Sequence, residues 1–303
     1  MKALFSWGLV GLSFACCNPP VLAQGTEAAL YGVIDAGLAS THVGDPDGAR
    51  RSKTGLVSGG LSDSLIGLKG SEDLGGGWSA IFALESQFSM ADGTLADENV
   101  LFNESAWLGL GNEQYGEWRL GKQHTAAQQA GNALEIASWV EMGMGATFKA
   151  SDNYKVPNSI AYSSPSLAGF SLGASYSFDL GGEQIRGRRS PQASVALRYE
   201  NGPLLLIATW DKTWLSDTLM PDAPAPTAWQ AGASYDLDVA KVSVAWSRQR
   251  NGYAGLNGGD PDNLGLGLGA REFAQGGSLD SYMAGVAVPA GERGTVLPQW
   301  SLV

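Results

Sequence analysis

The chain has 303 residues, of which 42 are glycine, 10 are tryptophan and only 16% are charged, and its formal net charge is −11. No basic stripe in this acidic chain indicates a nucleic-acid partner. Both cysteines, Cys16 and Cys17, lie within the first 23 residues, which have the character of an export signal, so we expect no disulfide in the mature chain. After residue 23 no apolar run reaches the roughly 20 residues that a membrane-spanning helix requires.

Residues 1–23 have the features of an export signal. Lys2 precedes an apolar run that continues to about Ala15, and Val21-Leu22-Ala23 places small or β-branched residues where a signal peptidase cleaves. We predict cleavage after Ala23, which leaves residues 24–303 as one mature domain. A lipoprotein signal at Cys16 is the weaker alternative, because Phe14 stands where a small residue is required.

Large apolar residues alternate with small or polar ones along the mature chain. In GFSLGASYSF, residues 169–178, the apolar face consists of Phe170, Leu172, Ala174, Tyr176 and Phe178. The same alternation recurs in WSAIFALESQF, WQAGASYDL and KVSVAWS. A period of two predicts β-strands with one apolar and one polar face.

The connectors between these runs alternate between short and long. The short ones carry tight-turn residues, as in DLGGG and ENGP, whereas the long ones are polar, as in HVGDPDGARRSKTG. This rhythm, with aromatic residues near strand ends, is typical of a transmembrane β-barrel with short turns at one rim. A soluble β-sandwich also alternates and remains the other interpretation of the periodicity.

Several segments resemble the general, trimeric porins of Gram-negative outer membranes, of the type found in Neisseria, Bordetella and Burkholderia. The matching segments are LYGVIDAGL, IGLKGSEDLGGGWSAIFALESQF, AWLGLGNEQYGEWRLGKQ, NSIAYSSPSLAGFSLGASYSF, YENGPL, YDLDVAKVSVAW and SYMAGVAVP. The resemblance implies an all-β fold, a 16-stranded antiparallel transmembrane barrel that assembles as a homotrimer in the outer membrane. It also implies a third long loop, here about residues 123–158, that folds into the pore.

The chain departs from the family pattern at several positions. Leu65-Ile66 stand where the family carries an arginine and an aromatic residue, and Glu104 and Lys122 stand where it carries arginines. About 13 strands are counted, Pro298 falls within the last of them, and the final three strands of the family are missing after Val303. We therefore expect a barrel that is incomplete at its C-terminus.

Strand parity and the resemblance together predict the residues of the pore. Lys69 and Arg119 on the wall are expected to face carboxylates of the infolded loop at the constriction. Those carboxylates are Glu135, Glu141 and Asp152, and further wall residues are Asp35, Glu85, Arg198 and Lys122. For each of these groups a solvated surface position is the alternative.

The alternation of inward and outward side chains is irregular in two strands. Lys122 shares the parity of outward Leu120 and turns inward only if Gly121 forms a β-bulge. Leu205 and Ile207 are aliphatic residues on the inward face, where polar residues are expected.

GFSLG matches the G-x-S-x-G motif of serine hydrolases at Ser171, but unbroken period-two alternation follows the serine in place of a helix. The sequence has two histidines, His42 and His124, in two different predicted loops, so few ligands or bases are available for a metal site or a catalytic triad.

We therefore predict a non-enzymatic channel, without cofactor or metal, for passive diffusion of small hydrophilic solutes and ions. The alternatives are an anion- or sugar-selective channel of the same fold and, less favoured, an exported serine hydrolase.

Overall fold

The computed structural model describes residues 26–44, 50–58, 62–97, 99–134, 155–180, 189–215, 224–251, 253–254, 271–272, 277–290, 294–296 and 298–302. The predicted export signal lies outside these residues. Within them, no helix has the length and apolar character needed to cross a bilayer.

The described residues are mostly in β-strands. Strands β1 to β5 are Thr26–Val33, Ala36–Gly44, Arg50–Ser58, Leu65–Gly75 and Trp78–Gln87. Strands β6 to β10 are Ser105–Asn112, Gly116–His124, Lys155–Ser163, Phe170–Ser177 and Gln192–Asn201. Strands β11 to β15 are Leu204–Thr213, Thr227–Asp236, Lys241–Arg250, Tyr253–Ala254 and Arg271–Glu272. Strands β16 to β18 are Ser278–Ala290, Gly294–Val296 and Gln299–Leu302. A short helix, α1, spans Ala126–Gly131, and a 3₁₀ turn spans Asn132–Leu134.

One large antiparallel sheet contains most of these strands. Its order is β1-β4-β5-β6-β7-β8-β9-β10-β11-β12-β13-β16-β17, and β18 also pairs with β16. Strands β2 and β3 form a hairpin between β1 and β4, and β14 and β15 form a second hairpin. Sequential antiparallel pairing of this kind is the arrangement that the alternating connectors predict.

The last strand is interrupted at a proline. β17 pairs with residues 288–290 of β16 and β18 pairs with residues 282–285. Pro298 lies between them and has no N–H to donate, although its carbonyl accepts from the N–H of Val286 at 3.0 Å. If β17 and β18 are counted as one interrupted strand, the described part of the sheet has the predicted 13 strands.

The two faces of the sheet differ as the alternation predicts. In β9, Phe170 is 51% exposed on the outer face, whereas Ser177 on the inner face is 1% exposed. The same contrast holds in β12 and β13, where Trp229 and Val244 lie outside while Gln230 and Ser243 are buried inside. An apolar outer face and a polar inner face are the requirements of a barrel in a bilayer.

The third long connector turns inward from the end of β7. Thr125 caps helix α1 by accepting from the N–H of Gln128 at 3.2 Å. The N–H of Ala126 donates to Ser175 Oγ on β9 at 3.0 Å, and the N–H of Ala127 donates to Ser194 Oγ on β10 at 2.9 Å. The inner wall thus binds the first helical turn of the loop directly, and the predicted infolding is confirmed for residues 125–134.

Leu134 fixes the end of this segment on an apolar floor. Its side chain is 2% exposed and packs with inward residues of β10 to β13 and β16, namely Ala196, Leu205, Ile207, Ala245 and Met283. A Cβ at Gly232 would lie 2.3 Å from Leu134 Cδ1, so the glycine provides the space for this leucine. Leu205 and Ile207 therefore obey strand parity, and they are aliphatic because the loop covers them.

We predict that Leu134→Ala loosens the infolded loop. Removing this buried side chain leaves a cavity, and the expected loss is about 3 kcal/mol. The thermal unfolding midpoint should fall. Leu237→Ala is the matched control, because Leu237 is 51% exposed in the short turn between β12 and β13. Equal behaviour of the two variants would contradict the assigned role of Leu134.

Candidate functional site

A cavity of about 570 Å³ lies against the inner face of β1 and β4 to β7. Its lining includes Tyr31, Lys69, Glu85, Trp107 and Arg119, each from a different strand. Further charged or titratable residues in the lining are Glu27, Glu104, Glu117 and His124. The cavity wall therefore carries both signs of charge at close range.

Tyr31 links the first three neighbouring strands of this wall. It lies opposite Gly67 of β4, which in turn lies opposite Glu85 of β5. A Cβ at Gly67 would lie 2.6 Å from Tyr31 Cζ, so the glycine lets the tyrosine ring cross β4. The Tyr31 hydroxyl then donates to Glu85 Oε1, and Lys69 Nζ lies 4.8 Å from the centre of the ring. Tyr31 thus contacts Lys69 through its ring and Glu85 through its hydroxyl.

Arg119 is placed by its neighbours on β6 and β7. Its guanidinium carbon lies 4.3 Å from the centre of the Trp107 ring, and its Nε pairs with the carboxylate of Glu117. An aromatic face and a carboxylate both stabilise a guanidinium in a fixed orientation. Gly109 lies opposite Arg119 and leaves room for its side chain, since a Cβ there would lie 3.3 Å from Arg119 Cγ.

Glu104 connects both ends of the infolded loop. This residue is 8% exposed and immediately precedes β6. Its Oε1 lies 2.7 Å from His124 Nε2 at the end of β7, and its Oε2 accepts from Lys155 Nζ at 2.6 Å at the start of β8. We name Glu104, His124 and Lys155 the loop clamp, because together they tie the beginning and the end of the third connector to one carboxylate.

The loop clamp continues into the two preceding connectors. Lys155 Nζ also donates to Gln87 Oε1 at 3.3 Å, and Gln87 Nε2 donates to Asp63 Oδ2 at 2.7 Å. Asn103 Oδ1 accepts from the N–H of Gln87 at 2.7 Å. Side chains from the ends of the first three long connectors therefore form one hydrogen-bonded network.

The charge of Glu104 is set by opposing effects. Burial raises the pKa of this carboxyl, but the hydrogen bond with His124 and the charge of Lys155 outweigh it and lower the pKa to about 2. Burial dominates at Asp63 and raises its pKa, since the charge of Lys155 opposes it only in part. Glu104 is therefore the ionised partner of Lys155 at neutral pH.

Sequence comparison assigns the architecture to a family. The model of the Gram-negative porin family matches residues 11–297. The chain belongs to the Gram-negative porin family. It is a protein of the outer membrane, and its antiparallel sheet is the β-barrel sheet of this family.

Individual relatives agree with this assignment. The porin is 30% identical to an outer membrane porin protein of Bordetella pertussis, over 92% of this chain and 80% of the relative. It is also 30% identical to outer membrane porin protein 32 of Delftia acidovorans, over 97% of this chain and 79% of the relative. Among solved structures, an anion-selective porin from Comamonas acidovorans superposes with a TM-score of 0.69 at 26% identity, covering 91% of this chain and 78% of that one.

The structure places the predicted wall residues at different points of the porin. Lys69, Glu85 and Arg119 line the cavity together. Arg198 faces inward on β10 near the short turn to β11, where it pairs with Glu200 at 2.5 Å. Asp35 follows β1 and accepts from the N–H of Ser62 at 2.7 Å, so it fastens the base of the β2–β3 hairpin.

Lys122 lies at a β-bulge in β7 and outside the cavity lining. The pairing register of β7 with β8 shifts between Gly121 and Gln123, and Gly121 has a φ of 135°, which is the bulge that the parity argument required. Lys122 still pairs with Ala106 and does not line the cavity. Glu135, Glu141 and Asp152 lie outside the described residues.

Sequence reasoning missed the loop clamp. Glu104 was noted only as a departure from an arginine, and neither His124 nor Lys155 was assigned a role. The sequence could have indicated this contact. His124 and Lys155 lie at the two ends of the predicted loop, and the acidic residue Glu104 lies directly before β6. Among the described residues, no three His, Cys, Asp or Glu side chains are grouped closely enough to hold a metal ion.

We predict that Glu104→Gln destabilises the porin and frees the infolded loop. Removing the charge of Glu104 leaves the buried ammonium of Lys155 without its counter-charge, and the free energy of unfolding should fall by about 3 kcal/mol. Thermal unfolding should shift downward and open-channel noise should rise. Glu117→Gln is the matched control, because the Glu117 side chain is 30% exposed and does not contact the loop ends.

The pH dependence of the same pair of variants provides a second readout. Since the folded-state pKa of Glu104 is below its ordinary value of 4.5, its stabilisation is fully present above about pH 4.5 and is lost as the pH falls toward 2. Acidification through this window should therefore destabilise the unsubstituted porin more than Glu104→Gln. Identical acid profiles would show that Glu104 contributes no linked stability.

Proposed function

We propose that this porin forms a water-filled channel for passive diffusion of small hydrophilic solutes and ions across the outer membrane. The observation that carries the proposal is the inward position of residues 125–134, which lie against the inner wall beside an open, charged cavity that Gln129 also lines. A loop held inside a barrel narrows the lumen without closing it. The names of the relatives, which are outer membrane porins, support the same activity.

The proposed assembly is a homotrimer embedded in outer-membrane lipid, with one pore in each subunit. The resemblance to trimeric porins supports this assembly. The exposed apolar outer face supplies the surface that lipid and neighbouring subunits require. No catalytic step is part of the proposed function.

The constriction is proposed to select only weakly between ions. Lys69 and Arg119 supply positive charge, while Glu27, Glu85 and Glu117 supply negative charge to the same cavity wall. Glu135, Glu141 and Asp152 of the infolded loop are proposed to complete the constriction on the opposite side. Rows of opposite charge at close quarters stabilise cations and anions at different points of the pore.

Anion selectivity is the alternative function. It is favoured by the superposition with the anion-selective porin from Comamonas acidovorans. It is disfavoured by Glu27 and Glu85, which place carboxylates in the lining of the cavity. The zero-current potential in a salt gradient distinguishes the two proposals.

We predict a zero-current potential close to zero for this porin in planar bilayers under a tenfold KCl gradient, whereas ideal anion selectivity gives about 59 mV in magnitude.

Lys69→Gln and Arg119→Gln should each lower the anion-to-cation permeability ratio by up to about fivefold. A permeating ion that passes about 4 Å from a unit charge in water interacts with it by about 1 kcal/mol. Arg198→Gln is the matched control and should shift the ratio less, because Arg198 lies outside the cavity. Absence of conductance from folded trimers would overturn the channel proposal.

We predict that Ser171→Ala leaves conductance and selectivity unchanged and removes no hydrolytic activity. Ser171 is the second residue of β9, paired with Arg198, and the strand continues to Ser177 without the turn and helix that a G-x-S-x-G nucleophile elbow requires. Assay of a short-chain ester beside the bilayer measurement checks both statements. Loss of ester hydrolysis in Ser171→Ala would support the alternative that the protein is a serine hydrolase.

A further inference from the structure

On the outer face of β11, β12, β13 and β16, the side chains near the rim with the long connectors are basic, polar and aromatic. One cross-strand row contains Lys212, Thr227, Arg250 and Ser278 in register. The next row toward the middle of the barrel contains Trp210, Trp229, Arg248 and Asp280. We name Lys212, Arg248, Arg250, Trp210 and Trp229 the basic–aromatic patch.

Strand parity shows that the three cations of the patch point away from the pore. Arg248 and Arg250 are exposed, and they alternate along β13 with buried Ser247 and Gln249. Lys212 alternates with Asp211 and Thr213 of β11, which are 0% and 1% exposed on the inner face. The charges therefore lie on the surface that contacts the membrane.

The patch has an excess of positive charge. Asp280 is the counter-charge in these two rows, and both of its oxygens accept from Arg248, each at 2.8 Å. The indole N–H of Trp246 also donates to Asp280 at 3.1 Å. Three cations and one carboxylate give a local charge of 3 − 1 = +2, in a chain whose net charge is −11.

The spacing of the cations suits a small, highly charged anion. Neighbouring strands lie about 4.8 Å apart, so Lys212 and Arg250, two strands apart, are separated by roughly 10 Å at their backbones. Arg248 and Arg250 are two residues apart on one strand, or about 7 Å. Flexible lysine and arginine side chains span such gaps and converge on one phosphate.

The aromatic row gives the depth of the patch in the membrane. The Trp210 and Trp229 rings lie 6.1 Å apart, directly below the row of Lys212 and Arg250, and Lys212 Nζ lies 5.0 Å from the centre of the Trp214 ring. Tryptophan concentrates at the boundary between hydrocarbon and headgroups, and basic residues beside that boundary attract anionic headgroups.

We propose that the basic–aromatic patch binds the phosphate of an anionic lipid headgroup in the leaflet that surrounds the long-connector rim. Lys212 and Arg250 supply the main charge, Thr227 and Ser278 lie in the same row with hydroxyls within reach, and the tryptophans contact the acyl chains. Arg248 is oriented by Asp280 and closes the site toward the hydrocarbon. The proposal rests on the outer-membrane location of the porin and not on its ion selectivity.

The test uses the full-length porin in nanodiscs of phosphatidylcholine that contain a minor fraction of phosphatidic acid. Lipid retained after release into detergent is identified by native mass spectrometry. The porin should retain phosphatidic acid in preference to phosphatidylcholine. Lys212→Gln/Arg250→Gln should weaken retention by about 25-fold, because each basic group near an anionic surface contributes about fivefold in affinity. The preference should also fall in 1 M salt, where the screening length is about 3 Å.

Lys69→Gln/Arg198→Gln is the matched control. It removes the same net charge from the inner wall, where lipid does not reach, and should keep the preference for phosphatidic acid. Conductance of both double variants verifies that they fold. Equal retention of the two lipids, or an equal loss in the control, would overturn the proposal. If Lys212→Gln/Arg250→Gln weakens the trimer but leaves lipid retention unchanged, the lipid proposal is overturned, and the patch instead contacts a second copy of the chain.

Discussion

Hydrogen bonding between neighbouring antiparallel strands is the constraint on which the rest of this molecule depends. Hydrocarbon offers no water to an unpaired N–H or C=O group, so each strand must satisfy its backbone on both neighbours. Once β4 to β13 are paired in this way, the side chains have only two directions to point. The apolar outer belt, the polar lumen and the register that brings Tyr31 to Glu85 all follow from that pairing.

The inner wall is divided between two tasks. The strands from β9 to β13, with β16, present serines and small or aliphatic side chains that receive residues 125–134. The strands β1 and β4 to β7 carry the charged residues around the open cavity. The proposed path of solutes therefore lies along the charged half, while the other half supports the loop. This division explains why aliphatic residues such as Leu205 occur inside an aqueous pore.

Much of the fold was predictable from the sequence because it is local. The two-residue alternation placed Phe170 outside and Ser177 inside, and Gly121 was the position at which a bulge was considered and at which the register shifts. The loop clamp was not predictable in this way. Glu104 and Lys155 are 51 residues apart, and only the register across the three strands β6, β7 and β8 brings them together. The strand-level pattern contains no information about such a contact, so the resemblance to porins could supply the infolded loop but not its attachment.

The loop clamp also bears on how the channel is assembled. The chain has no cysteine after Cys17, so no disulfide can hold the third connector in place. Glu104 performs the equivalent cross-link with charge, joining His124 and Lys155 across the base of the connector. Such a cross-link forms without an oxidant and survives reducing agents. The bore of this channel should therefore be independent of the redox state of the compartment in which it folds, and vulnerable instead to strong acid.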